Sequence, residues 1–280
     1  VLEDVAREPA AAAMLSKPWR RLRYLATSGV RRRFRDFALR DIRPGAFAGR
    51  ERLARREVFV VREDLARRYL IGEGIEIGAL ALPLRMPPGA TVSYVDHLPR
   101  EDLLRVNRAT LAVANLDPDA ITPVDVVDDA GTLATFADGS VDFVVANHVL
   151  EHMEDPIDAL GHMLRVIAAG GILFLTVPDA RHTYDAPRPR TTVEHLLRDH
   201  REGPQHSRHE HYEEWARIVD GTPAERLAER VAQFAREDAR HHFHVWELEG
   251  FLALLAAVEL PCRLELAQVN GPEFAVILRK

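Results

Sequence analysis

The chain has 280 residues, 47% of them apolar and 29% charged, and a net charge of −6. That mixture is ordinary for a folded globular protein with one elaborated α/β domain or two small ones, and no stretch approaches the roughly 18–20 continuous apolar residues of a membrane helix. The single cysteine, Cys262, excludes a disulfide framework and any zinc site built on cysteine.

Residues 1–56 read as an arginine-rich arm ahead of an acidic remainder. Its first residues carry acids and a proline where a secretory signal would be basic and then continuously apolar, so a cytoplasmic location is expected. Trp19, Leu22, Leu25, Phe34 and Leu39 recur at helical spacing, which predicts two or three short helices, broken at Arg43-Pro44-Gly45. A basic arm can contact nucleic acid or anionic lipid, but the acidic body offers a partner within one chain or in a second copy. Homo-oligomerisation through the arm is therefore expected, and nucleic acid is not.

From residue 57 the texture changes to short apolar runs between helical stretches, as in a parallel sheet with crossover helices. Strands are predicted at 74–78, 91–96, 141–146 and 171–177, with a shorter one at 124–127. Between the last two long strands Asp155 caps a predicted helix and Pro156 opens it. Ile157, Leu160, Leu164 and Ile167 line one face of that helix, and Gly170-Gly171 is read as its stop. Residues 57–178 thus form the expected core domain.

Residues 179–245 hold nine of the thirteen histidines. Thr191-x-x-Glu194 and Thr222-Pro223-x-Glu225 read as capping boxes, so the segment is expected to be a helical lid inserted over the sheet rather than a domain with a large core of its own. Residues 246–280 complete the core with a buried helix over 246–260 and a hairpin of strands at 262–269 and 274–279.

The first strand ends in Glu76-Ile77-Gly78 and the second in Asp96. A glycine after strand one lets a ligand approach the backbone, and an acid ending strand two accepts from ribose hydroxyls. Only one glycine stands in this turn, followed by Ala79 and Leu80. The phosphate-binding fingerprint is missing, which disfavours a pyrophosphate cofactor such as NAD and leaves room for a nucleoside without phosphates. Acids also end strands with no ligand nearby, so these two residues alone decide little.

A longer run carries more. Asp128-Asp129-Ala130-Gly131-Thr132-Leu133, then Asp138-Gly139-Ser140-Val141-Asp142, then Asn147-His148-Val149-Leu150-Glu151-His152 and Ala169-Gly170-Gly171 follow one another in order. Over about residues 72–178 the chain resembles class I S-adenosylmethionine-dependent methyltransferases, and more narrowly those of bacterial glycan and secondary-metabolite clusters. The resemblance implies an α/β, Rossmann-like fold with a seven-stranded, mostly parallel sheet, S-adenosyl-L-methionine as cofactor and S-adenosyl-L-homocysteine as product. It implies Glu76, Gly78 and Ala79 beside the methionine part, and Asp96 with His97 at the ribose. Asp129 and Ala130 would lie at the adenine, and Asn147 and His148 at the sulfonium. The departure is the glycine-poor turn after strand one.

Moving a methyl group to a hydroxyl needs in-line placement and a base, and histidine is the natural candidate near neutral pH. His148 is the first choice, at the exit of strand four, and His152 belongs to the same motif. The paired lid histidines, His209 with His211 and His242 with His244, are the next, His211 and His244 before the others. Asp185, in the cluster Asp179, Arg181, Tyr184 and Asp185 after strand five, is the reserve. The histidines are expected to act without a metal. The expected reaction is O-methylation of a small polar acceptor, sugar-like compounds among them; N-methylation of a small amine and non-catalytic cofactor binding are the alternatives.

Overall fold

The computed structural model describes residues 47–113 and 116–280. The helices predicted within residues 1–46 lie outside the described residues. Helix α1 (Phe47–Tyr69) runs across position 56, where the sequence texture changes. It is followed by β1 (Gly72–Ile77), β2 (Ala90–Asp96), α2 (Arg100–Val113), β3 (Val126–Val127) and β4 (Val141–Asn147). Then come α3 (Pro156–Val166), β5 (Ile167–Pro178), α4 (Val193–Glu202), α5 (Arg208–Ile218), α6 (Leu227–Glu237), α7 (Leu248–Ala257), β6 (Arg263–Asn270) and β7 (Glu273–Arg279).

The seven strands form one sheet in the order β3-β2-β1-β4-β5-β7-β6. All neighbours are parallel except β7, which runs antiparallel to both β5 and β6. The pleat explains how each strand serves two cores. Val144, Ala146, Leu173, Leu175, Phe274 and Val276 face α3, α4 and α7 on one side. Their sequence neighbours Phe143, Val145, Ile172, Phe174, Ala275 and Ile277 face Leu65 and Ala66 of α1, and Leu70 just after it, on the other. Glu76 alternates with Ile75 and Ile77 of the first core, and so points toward the α1 side.

Helix α3 begins as its sequence predicts. The Asp155 carboxylate accepts from the N–H groups of Ile157 (3.1 Å) and Asp158 (2.9 Å), and Pro156 occupies the first turn. Its end differs, because the helix stops at Val166 and β5 starts at once, well before the Gly170-Gly171 pair. Gly171 has a different purpose: a Cβ there would lie 2.4 Å from the Asp142 carbonyl oxygen, so glycine permits the close approach of β5 to β4.

The insertion contains α4, α5 and α6. Thr192, one residue later than predicted, caps α4 by accepting from the His195 N–H at 3.2 Å. Thr191 is bound instead to Val245 through both its backbone and its hydroxyl. The capping box expected at Thr222 does not form, because a 3-10 turn (Ala224–Arg226) intervenes and α6 starts out of reach. Helix α4 packs against α3 and α7. Helices α5 and α6 close on a small core of Tyr212, Ala216, Val231, Phe234 and Phe243. Helix α7 is shorter than predicted, since Trp246 precedes it in extended backbone bridged to Asp179. No helix among the described residues is long and apolar enough to cross a membrane.

Candidate active site at the strand ends

The residues singled out at the strand ends converge at the C-terminal edge of the parallel strands, where open α/β sheets place their ligands. Glu76, wholly buried on β1, accepts from the Leu84 N–H with both carboxylate oxygens at 3.0 Å. Asn147 at the end of β4 donates to Glu76 Oε1 at 3.3 Å, and Thr176 on β5 donates to the Asn147 side-chain oxygen at 2.9 Å. A polar relay thus joins three adjacent strands beneath the turn at Gly78. Gly78 has φ +67°, a left-handed conformation that suits glycine, and a Cβ would lie 3.3 Å from Val149. Ala79 turns the chain by accepting from the Leu82 N–H at 2.9 Å.

Burial pushes the Glu76 carboxyl up to about 7, and the bonds from Leu84 and Asn147 only partly oppose it. A carboxyl raised in the folded state binds a proton that the unfolded chain releases near 4.5. Its stabilising contribution is therefore complete below that value and lost as the pH rises through about 7. Ligand-free protein should lose about 2–4 kcal/mol between pH 5 and 8 from this group. Urea denaturation should show Glu76→Gln with a flatter pH dependence; an unchanged slope would remove Glu76 as the cause.

At the end of β2, Asp96 Oδ1 accepts from the backbone N–H and from ring Nδ1 of His97, both at 2.8 Å. Its Oδ2 has no hydrogen-bond partner among the described residues. Beyond β3, Asp128 organises the loop by accepting from the N–H groups of Asp129, Ala134 and Thr135 and from the Thr135 hydroxyl. Asp129 is half-exposed; it accepts from the Gly131 N–H at 2.8 Å and pairs with Arg240 of the insertion at 3.0 Å. Ala130 is buried beside it.

His148, the residue after β4, has φ +56°, rare for a side chain of its size. Its N–H donates to the Thr176 carbonyl, and its ring Nε2 lies 2.8 Å from Glu273 Oε2. Glu273 opens β7 and is 1% exposed. Arg62 of α1 binds it through Nε at 2.9 Å and through Nη2, and Asn270 donates to it at 2.7 Å. Burial alone would raise the Glu273 carboxyl, but the bonds from Arg62 and His148 outweigh it and hold the group at about 2. The carboxylate is therefore an acceptor only, and its 2.8 Å contact calls for the His148 ring proton on Nε2, with Nδ1 as the free base nitrogen; Arg62 Nη2 also lies 3.3 Å from that Nε2 and, where it donates there instead, calls for the other tautomer. Arg62 and Glu273 were not singled out from sequence; a glutamate in a hairpin turn and an arginine on a distant helix share no motif.

The other histidines gather elsewhere. His211 and His244 surround His195, with ring centroids 5.0–5.8 Å apart. They share no hydrogen bond, ion pair or ring contact with His148 among the described residues. Burial holds His211 down at about 3 and His244 well below its ordinary value. Asp185 is buried and committed: Arg188 donates to one oxygen and His242 Nδ1 to the other, both at 2.7 Å. Burial works against its ionisation, but the bond from His242 and the charge of Arg188 keep its carboxyl below the usual value. Glu151 is fully buried with neither carboxylate oxygen hydrogen-bonded, and burial pushes it up to about 7.

The strand order, the single antiparallel β7 and the polar residues at successive strand ends define the class I methyltransferase fold. Residues 84–257, more than half of the chain, match a family model described as a methyltransferase domain, and the chain belongs to that family. It is a methyltransferase, and S-adenosyl-L-methionine is its methyl donor. Solved structures that resemble it include a S-adenosylmethionine-dependent methyltransferase of Aquifex aeolicus, with 12% identity over 85% of this chain and 99% of that one and a TM-score of 0.44. An O-methyltransferase family protein of Burkholderia thailandensis shares 14% identity over 82% of this chain and 56% of that one, with a TM-score of 0.43. Comparison with curated protein sequences finds no match.

The residues present fit the donor at one atom in particular, since Asp96 Oδ2 is left without a partner at the site's edge.

Proposed function

We propose that the chain methylates a hydroxyl of a small, polar, sugar-like acceptor, with His148 as the general base. The observation that carries this reading is the Arg62–Glu273–His148 chain, which holds Nε2 of a half-exposed imidazole at the exit of β4 and leaves Nδ1 without a partner among the described residues. The bound donor supplies a methyl already activated by its positive sulfur, so the protein's work is placement and proton removal.

In this reading Asp96 Oδ2 accepts from a ribose hydroxyl, while Glu76, Gly78 and Ala79 border the methionine part and Asp129 with Ala130 borders the adenine. Asn147 is held by Glu76 and Thr176 at the boundary between donor and acceptor. His148 Nδ1 takes the acceptor's proton as the methyl arrives, and Glu273 stabilises the imidazolium through Nε2. Arg62 prevents Glu273 from leaving with that proton, because its guanidinium favours the ionised carboxylate. A cytoplasmic location and assembly through the arm of residues 1–56 belong to the same proposal.

Asp96→Ala should weaken binding of S-adenosyl-L-homocysteine by about 1.5–3 kcal/mol, as for a hydrogen bond to a charged group. Unchanged affinity in calorimetry would remove Asp96 from the ribose. The acceptor class is tested with methyl-labelled donor and a panel of small hydroxylated compounds and amines. Label recovered in a methyl ether supports the reading; label recovered only on nitrogen overturns it.

A further inference from the structure

Three imidazoles meet outside the strand-end site. His195 comes from the first turn of α4, His211 from the first turn of α5, and His244 from the extended segment before α7. One ring nitrogen of each lies within 4.8 Å of the others, and His195 Nε2 is 3.1 Å from His211 Nε2. His244 donates from Nε2 to the Glu154 carbonyl at 3.1 Å, which leaves its lone pair on Nδ1. That Nδ1 is buried and has no hydrogen-bond partner.

Asp199, one turn after His195, is 0% exposed. Its Oδ2 lies 3.0 Å from His195 Nε2 and 4.0 Å from His211 Nε2, and the Ser207 hydroxyl fixes it at 2.8 Å. Hydrogen bonding alone satisfies this group poorly, because two ring nitrogens facing each other can share one proton and His244 Nδ1 has none to receive. Arg198 Nη2 approaches His195 Nδ1 at 3.4 Å, too long for a firm bond that would set the ring's tautomer.

We propose that His195, His211 and His244, with Asp199 Oδ2 as the fourth donor, bind one divalent transition-metal ion of the zinc type. Three imidazoles and a carboxylate are a borderline donor set that suits zinc and disfavours magnesium or calcium. Tetrahedral bonds of about 2.0–2.1 Å place ligand atoms about 3.3 Å apart; His195 Nε2 already lies 3.1 Å from His211 Nε2 and 3.0 Å from Asp199 Oδ2, and the other donors would draw in on binding. The Glu154 carbonyl and Ser207 hydroxyl are the outer partners that orient such ligands. All four donors come from protein, so the ion is structural. It fastens α4, α5 and the α7 entry together, where α5 and α6 have only a small core of their own.

The test uses the full chain purified without a polyhistidine tag. Equilibrium dialysis against Zn²⁺ should load about one ion per chain, and Co²⁺ should give the intense visible absorption of a tetrahedral site. Zn²⁺ should raise the melting temperature by about 5–10 °C, and a chelator should reverse it. His195→Ala, His211→Ala and His244→Ala should each lose the ion, while His209→Ala, exposed on the same helix as His211, keeps it. Wild type that binds neither ion would overturn the proposal whatever the variants do. So would an ion lost in His152→Ala or His242→Ala but kept in His211→Ala.

Discussion

His148→Ala should lower turnover by about 10²- to 10⁴-fold, the usual worth of a general base, with S-adenosyl-L-homocysteine affinity nearly unchanged. The split is expected because the proposed reading puts the donor's contacts on β1, β2 and the loop after β3, whereas the His148 ring is held by β7 and α1. Glu273→Gln keeps the shape of the partner and loses its charge. It should depress kcat in the same direction, since the imidazolium would form without a counter-charge. Steady-state kinetics beside calorimetry check both; full activity in His148→Ala would place the base elsewhere.

Arg62→Ala should cost about 3–5 kcal/mol of stability at neutral pH, the penalty for leaving a buried charge without its partner. Glu273 is nearly inaccessible, and after the loss of Arg62 only Asn270 and His148 would still donate to it. The sign with pH follows. Glu273 is ionised in the wild type down to about 2, so the ion pair contributes above the ordinary carboxylate range and is lost as the pH falls through that value. Without Arg62 the carboxyl takes up a proton at higher pH, and the deficit against wild type should shrink on acidification. Urea titrations at pH 7.5 and 5 would show it. A deficit independent of pH would mean that Arg62 stabilises through packing alone.

The core of the fold was legible because its strands and α3 announce themselves locally. Asp155 caps α3 by accepting two backbone bonds, and the apolar runs at 141–146 and 171–177 coincide with β4 and most of β5. Gly170-Gly171 misled because glycine serves a helix stop and a close strand approach equally well, and only the distance to the Asp142 carbonyl separates the two. Thr222 misled because a capping pattern requires the helix to begin within reach.

At the site, residues read from one short stretch each were found together: Asn147 donates to Glu76 across β4 and β1, and the Gly78 N–H donates to Val95 of β2. Contacts made across the fold were illegible. Arg62 and Glu273 are separated by 211 positions, and nothing in either neighbourhood marks the pair. Composition showed the histidines to be concentrated in the insertion but could not sort them. Helices α4 and α5 carry His195 and His211 to His244, and His148 stays with Glu273.

A crystal structure with S-adenosyl-L-homocysteine bound tests the placement of the reaction most directly. The account predicts ribose hydroxyls within hydrogen-bond distance of Asp96 Oδ2, and the sulfur opposite the exit of β4 with His148 Nδ1 facing the acceptor space. A ribose bound away from Asp96, or a sulfur facing the His195 cluster instead of His148, would contradict it.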